Sequence, residues 1–156
     1  PKDFFDNALP SGNSVAALVL LKLGRLFQSQ TYEGHVQNIF IAVGDSLHSH
    51  PIAFPQMLLA LNYAYGPSYE IVLAGKKGSG KWNDFLKILY ESYLPNKVLL
   101  FLPEGESGKQ IESLIPFVRQ QSASGHKALL YWCENYACKF PFQNKSELEK
   151  QILVVS

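Results

Sequence analysis

The chain has 156 residues, 47% of them hydrophobic, and a formal charge of +1. A chain of this length closes one ordinary hydrophobic core, so we expect one domain or part of one. Because acidic and basic residues nearly balance, no broad positive field is available to hold a nucleic acid or an anionic membrane surface, and neither is expected as a partner.

The chain begins with Pro1 rather than Met, which suggests the C-terminal part of a longer protein. Its longest apolar run, residues 15–21, is far shorter than the roughly 20 residues that a membrane span needs. No basic and then apolar signal segment opens the chain. A cytoplasmic location is therefore expected.

Residues 1–66 have the apolar periodicity of helices and form the first predicted segment. Three helices are predicted, at about residues 14–28, 32–47 and 51–65. Small polar residues between Ser11 and Ser14 suit the N-cap of the first helix, and Thr31 suits that of the second. Their short connections predict antiparallel neighbours.

The first of these helices is apolar on nearly every side. Only Lys22, Arg25 and Gln28 form a polar stripe along it. Such a helix requires burial almost all round, and three helices cannot enclose it. We therefore expect further helices to cover it in a longer protein.

Residues 67–156 alternate strand and helix patterns and form the second predicted segment. Strands are predicted at residues 69–74, 97–102 and 127–133, and helices at about residues 81–93, 108–121 and 147–153. Alternation of this kind predicts an α/β fold, here a βαβαβα unit with a mainly parallel sheet. The strands are continuous apolar runs, as expected when helices cover both faces.

Local signals refine the predicted helices of this second segment. Ser107 with Gln110, and Ser146 with Glu149, have the spacing of capping boxes. Pro116 lies inside the predicted helix at residues 108–121, where it should kink or shorten that helix.

The sequence GKKGSGK at residues 75–81 fits the spacing of a phosphate-binding loop and lies between a predicted strand and a predicted helix. Gly75, Gly80 and Lys81 would then bind an anion. However, the next residue is Trp82, which lacks the hydroxyl that holds magnesium in such loops. The alternative is a solvated turn, in which the glycines supply turn geometry.

Cys133 and Cys138 are the two cysteines, five positions apart near the end of a predicted strand. A metal site would need two further ligands, so no metal is expected there. Their spacing also differs from the C-x-x-C of thiol exchange enzymes. We expect two free thiols, and no cofactor.

A polar loop, DNALPSGNS at residues 6–14, leads into the apolar first helix. Its side chains suit helix capping. Alternatively, Asp6, Ser11 and Asn13 line the cavity of a helical barrel and bind a polar ligand there.

That loop, followed by its leucine-rich helix, and the segment CENYACKFP at residues 133–141 resemble the C-terminal region of YyaL-like proteins, which include the spermatogenesis-associated thioredoxin-domain proteins. The resemblance implies a thioredoxin-like domain and an α/α toroid similar to that of N-acylglucosamine 2-epimerases. Residues 1–66 would be the last toroid helices, and residues 67–156 an α/β segment packed on them. The partners would be the upstream toroid and thioredoxin-like domains, or a second copy of the chain. A carbohydrate-related function follows by analogy alone.

Overall fold

A computed structural model describes residues 4–123, 125–135 and 137–155. The chain divides into two compact units, Pro1–Ser68 and Tyr69–Ser156. The first unit is helical. The second contains a sheet with helices on it, and the predicted α/β fold class is confirmed.

In the helical unit, residues 4–68 form three α-helices and a short 3-10 helix. They are α1 (Gly12–Phe27), α2 (Gln30–Ser49), the 3-10 helix (Pro51–Ala53) and α3 (Pro55–Tyr65). Helix α1 packs against both α2 and α3. The three predicted helices are thus confirmed.

The end of α1 lies where it was predicted, but the N-cap of α2 differs from prediction. Gln28 adopts a left-handed conformation and ends α1, so the chain can begin a new helix at once. The Ser29 hydroxyl then accepts a hydrogen bond from the Tyr32 N–H and caps α2. Thr31, predicted as the cap, therefore lies within the first turn of α2.

The buried carboxylate of Asp6 fastens two helix starts together. Its Oδ1 accepts a hydrogen bond from the Ser11 N–H at 2.7 Å. Its Oδ2 accepts from the N–H groups of Gln56 at 2.9 Å and Met57 at 3.2 Å, in the first turn of α3. A carboxylate is stabilised at such positions by the positive end of the helix dipole. Asp6 therefore holds the start of α1 close to that of α3.

Helix α1 buries only a narrow stripe. Ser14, Ala17, Leu21 and Gly24 are its buried residues. On another side, Val15, Val19 and Phe27 are 43%, 47% and 42% exposed. Together with the half-buried Leu23, these three residues are spaced four positions apart along the chain. They therefore lie along one face of the helix. We call this set the α1 stripe.

In the second unit, the described residues form four strands, three α-helices and a 3-10 helix. In chain order they are β1 (Tyr69–Gly75), α4 (Gly80–Glu91), β2 (Lys97–Pro103), α5 (Glu106–Leu114), a 3-10 helix (Pro116–Gln120), β3 (Ala128–Glu134), β4 (Ala137–Cys138) and α6 (Lys145–Val155). As predicted, Pro116 ends the preceding helix early. The order of the predicted strands and helices is confirmed.

The sheet has the strand order β2-β1-β3-β4. Strand β2 is parallel to β1, as predicted, but β3 is antiparallel to β1 and pairs Ala128 with Gly75. The parallel direction predicted for β3 is therefore wrong. The physical reason is the shortened helix: α5 and the 3-10 helix bring the chain back to the end of the sheet where β2 stopped. From there β3 can run only in the opposite direction.

Each face of the sheet has its own hydrophobic core. One core joins Ile71 and Leu73 of β1 to Phe85 of α4 and Leu148 of α6. The other joins Val72 and Ala74 of β1 to Leu102, Ile115, Val118, Ala123 and Leu129. Strand β1 thus contributes alternate residues to both cores, as the pleat of a strand requires.

The caps of α5 and α6 lie two residues before those predicted. Helix α5 begins after Gly105, whose φ of +87° reverses the chain there, so Ser107 lies inside the first turn. Before α6, Asn144 Oδ1 accepts a hydrogen bond from the Glu147 N–H, and Glu147 Oε2 accepts one from the Gln143 N–H. The cap predicted at Ser146 is therefore at Asn144, and the carboxylate of Glu147 returns to the N–H of the residue before the cap.

Replacing Asp6 by Asn should destabilise the helical unit by about 2 kcal/mol, because a charged acceptor of several backbone N–H groups is lost. Burial alone would raise the pKa of Asp6, but hydrogen bonds from Ser11, Ser14, Met57 and Gln56 together lower it below 3.8. The stabilisation should therefore be complete above about pH 5 and decline as the pH falls through the lowered pKa.

Urea unfolding followed by circular dichroism measures this effect, with Asp45→Asn on the exposed side of α2 as the control. The difference between Asp6→Asn and the parent chain should shrink below pH 3.8. Equal stability of the two chains at pH 7 would show that Asp6 does not fasten the helices.

Candidate functional site

A crevice opens at the carboxyl ends of the parallel strands β1 and β2. Its volume is about 270 Å³. Its lining residues from the two strands are Ala74, Gly75, Leu102 and Pro103. The segment before α5 and the first turns of α5 contribute residues 104, 105, 108, 109 and 112. The segment after the 3-10 helix contributes residues 121–123. Ligands of open α/β sheets commonly bind outside the carboxyl ends of the strands. We call this cavity the β1–β2 crevice.

Polar groups concentrate on the α5 side of the crevice. The side chains there belong to Glu104, Lys109 and Glu112. Lys109 is exposed and also lies 3.6 Å from the carboxylate of Glu106. Among the described residues, no side-chain hydrogen bond caps the start of α5. The crevice therefore offers carboxylate acceptors, one ammonium donor and the N–H groups of a helix start.

Two glycines allow the backbone to close tightly around this crevice. A Cβ at Gly108 would lie 2.1 Å from the carbonyl oxygen of Pro103, so α5 begins directly against the end of β2. Gly75 has a φ of +129°, and a Cβ there would lie 2.7 Å from the carbonyl oxygen of Lys127. Larger residues at either position would push apart the segments that form the crevice.

The predicted phosphate loop is a tight turn between β1 and α4. The Lys76 N–H donates to the Lys127 carbonyl at 2.9 Å, and the Ser79 N–H donates to the Lys76 carbonyl at 3.1 Å. The Ser79 hydroxyl accepts from the Trp82 N–H and so caps α4. Of the three residues predicted for anion binding, Gly75 ends β1, while Gly80 and Lys81 begin α4. Anion binding at this loop stays a prediction.

The residues predicted to bind a ligand in a helical cavity lie at the start of α1. Asp6 and Ser11 are hydrogen bonded to each other, and the Ser11 hydroxyl accepts from the Ser14 N–H. Asn13 lies half-buried in the first turn of α1. Capping explains the arrangement of Asp6 and Ser11, and ligand binding by the three residues stays a prediction.

The expectation of two free thiols is wrong, because Cys133 and Cys138 form a disulfide. The cysteines face each other in register across β3 and β4, which places both sulfur atoms on one side of the hairpin. Only a weak indication of this disulfide is present in the sequence, because the pairing depends on a reversal of the chain between the two cysteines.

Sequence reasoning also missed the polar residues of the crevice. The sequence PEGESG at residues 103–108 joins a predicted strand to a predicted helix. This segment places two glycines and two carboxylates at the carboxyl end of a strand, a pattern that indicates a binding site there.

Across the residues that the structure describes, no group of three or more His, Cys, Asp or Glu side chains could hold a metal ion. In the same part of the chain, every helix is too short or too polar to cross a membrane.

Comparison with known proteins relates almost the whole chain to one group of longer proteins. The chain is 30% identical to human spermatogenesis-associated protein 20 over 149 residues, which is 96% of this chain and 19% of the human protein. The rat protein of the same name gives the same identity and coverage. An uncharacterised protein of Caenorhabditis elegans is 26% identical over 145 residues.

The chain thus spans about a fifth of the length of the curated relatives it matches. No protein-family model matches the chain. No solved structure matches it either.

Replacing Gly108 by Ala should destabilise the chain by about 2 kcal/mol, because the added methyl group meets backbone rather than a movable side chain. The matched control is Gly44→Ala in α2, where a Cβ has nothing within 4 Å. That control should stabilise the chain by about 0.5–1 kcal/mol, as usual for Gly to Ala in a helix. Thermal unfolding of both variants measures the two effects, and a neutral Gly108→Ala would contradict the close contact of α5 with β2.

Proposed function

We propose that the second unit binds a small polyhydroxylated ligand, of the size of one sugar ring, in the β1–β2 crevice. The observation that carries this proposal is the set of Glu104, Lys109 and Glu112 around the uncapped start of α5. The position at the carboxyl ends of parallel strands supports it independently.

The chemistry of the crevice suits hydroxyl groups better than a phosphate. A hydroxyl both donates and accepts hydrogen bonds, so the carboxylates of Glu104 and Glu112 would accept from it. Lys109 and the first N–H groups of α5 would donate to its oxygen atoms. A phosphate would meet two carboxylates in the same space, and like charges close together are costly.

The volume of the crevice also limits the ligand. Pockets for drug-sized molecules measure roughly 300–1,000 Å³. At about 270 Å³, this crevice accommodates a smaller molecule than most of these. A monosaccharide fits this limit, whereas a dinucleotide would extend well beyond it.

We further propose that the chain forms part of a cytoplasmic multidomain protein similar to spermatogenesis-associated protein 20. The similarity over 96% of the chain, including both units, supports this. In the proposed parent protein, α1 to α3 are the last helices of an α/α toroid, and a thioredoxin-like domain lies further upstream. A sugar-like ligand in the crevice would be consistent with an epimerase-like toroid in the same protein.

Ligand-observed NMR with a panel of monosaccharides tests the crevice proposal. At least one sugar should bind saturably, and Glu112→Gln or Glu104→Gln should weaken that binding about tenfold, because a hydrogen bond to a charged group is lost. Glu149→Gln, on the exposed side of α6, is the matched control and should bind like the parent chain.

The panel also separates the alternatives. Absence of binding by every sugar would contradict the proposal. Binding of magnesium-ATP that disappears in Lys81→Ala would instead support anion binding at residues 75–81. Sugar binding that disappears in Asn13→Ala but persists in Glu112→Gln would transfer the site to the helical unit.

A second proposed function, docking, rests on the α1 stripe. Three apolar side chains exposed along one face of a helix form a contiguous surface of the kind that contacts other helices. We propose that helices of the toroid cover this stripe in the parent protein, and that two copies of the isolated chain cover it for each other.

Val19→Lys should therefore reduce self-association of the isolated chain, because a charge would enter an apolar contact. Analytical ultracentrifugation over a range of concentrations measures this, with Gln37→Lys on the exposed side of α2 as a control of equal charge. A parent chain that stays monomeric at high concentration would argue against docking between copies.

A further inference from the structure

The disulfide between Cys133 and Cys138 joins β3 to the short edge strand β4. We propose that this disulfide is a reversible exchange centre that accepts two electrons from a dithiol. Its geometry differs from that of a purely structural bridge in three respects: the unequal exposure of the two cysteines, a buried amide donor at both sulfur atoms, and an open depression beside one of them.

The first respect is access. Cys133 has no exposed surface, whereas Cys138 is an exposed residue on β4. Exchange proceeds by attack of a thiolate along the line of the S–S bond, so the accessible sulfur is the one attacked. An incoming thiolate therefore meets Cys138, and Cys133 is the leaving group.

The second respect is the side chain of Gln121, which is only 4% exposed. Its Nε2 lies 3.1 Å from Cys138 Sγ and 3.6 Å from Cys133 Sγ. Disulfide sulfur is a weak acceptor, but a thiolate is charged and accepts strongly. The amide N–H thus interacts more favourably with the reduced pair than with the disulfide. It also offsets part of the desolvation cost of a thiolate on the buried Cys133.

The third respect is the depression next to Cys138. Its volume is about 570 Å³, and it is lined by Cys138, Lys139, Phe140 and Pro141. Phe140 is 95% exposed, so an apolar surface lies beside the attacked sulfur.

The proposed reaction conserves atoms and electrons. One thiolate of the dithiol forms a bond to Cys138 Sγ, the bond between Cys138 and Cys133 breaks, and its electron pair leaves on Cys133 Sγ. The second thiol of the donor is then deprotonated and attacks the donor's other sulfur atom, the one bonded to Cys138 in the mixed disulfide. That bond breaks, and Cys138 leaves as a thiolate. The donor ends as a disulfide, and the two protons that it loses are taken up by the two cysteine thiolates.

A matched pair of variants tests the direction of attack. Cys133→Ser leaves the thiol at Cys138, and Cys138→Ser leaves it at Cys133. With oxidised glutathione as probe, the folded Cys133→Ser chain should form a mixed disulfide at least about tenfold faster than Cys138→Ser. In urea the two rates should become similar, because the difference depends on burial. Equal rates in the folded chains would overturn the proposal.

Equilibration of the unmodified chain with reduced and oxidised dithiothreitol tests reversibility and the role of Gln121. The disulfide should open and close while circular dichroism still reports a folded chain. Gln121→Leu should shift the equilibrium several-fold toward the disulfide, since the donor to the thiolates is lost, whereas Gln120→Leu on the exposed neighbour should not. Opening only under unfolding conditions would identify the bridge as structural and contradict the proposal.

Discussion

Burial of strand β1 on both of its faces determines the organisation of the second unit. Every residue from 70 to 75 is buried, and the strand is hydrogen bonded to β2 on one edge and to β3 on the other. Exposure of either face of the strand to water would remove it from one of the two hydrophobic cores. Helices α4 and α6 must therefore cover one face, while α5 and its 3-10 continuation cover the other. The crevice forms on the second of these faces, between the start of α5 and the segment that follows the 3-10 helix.

Helix starts are the second recurring constraint. In α1, α2 and α4, a serine hydroxyl accepts one of the free N–H groups of the first turn. Asp6 performs the same task for α3 from fifty positions away in the chain. Each of these helix starts is thus satisfied within the protein. The start of α5, which follows Gly105, lacks a side-chain cap among the described residues and lies at the crevice.

The sequence predicted the helices and the first three strands well, because each has a distinct apolar period and clear turn residues. The direction of β3 could not be read in the same way. A strand buried on both faces shows the same continuous apolar run whether its neighbour is parallel or antiparallel. The direction of a strand depends on the end of the sheet at which the preceding connection arrives. For β3, that end depends on how far α5 extends before Pro116.

The disulfide and the crevice were missed for a related reason. The pairing of Cys133 with Cys138 depends on the register of a hairpin whose second strand is only two residues long, too short to leave a periodic signal. Glu104 and Glu112 are eight positions apart, and only the contact of Gly108 with the end of β2 brings both to one cavity. The polar loop at Asp6 was recognised, but its role in joining α1 to α3 depends on contacts distant in sequence.

Strand β2 lies at one end of the strand order, so its outer edge pairs with no other strand among the described residues. Residues 98–102 of this strand are all apolar, with a lysine before them and a proline after them. An apolar edge of this kind is a template onto which another chain can add a strand, and terminal charge or proline limits such growth. At this edge, the charge of Lys97 and the missing N–H of Pro103 would limit the addition of a further strand at the two ends of the apolar run.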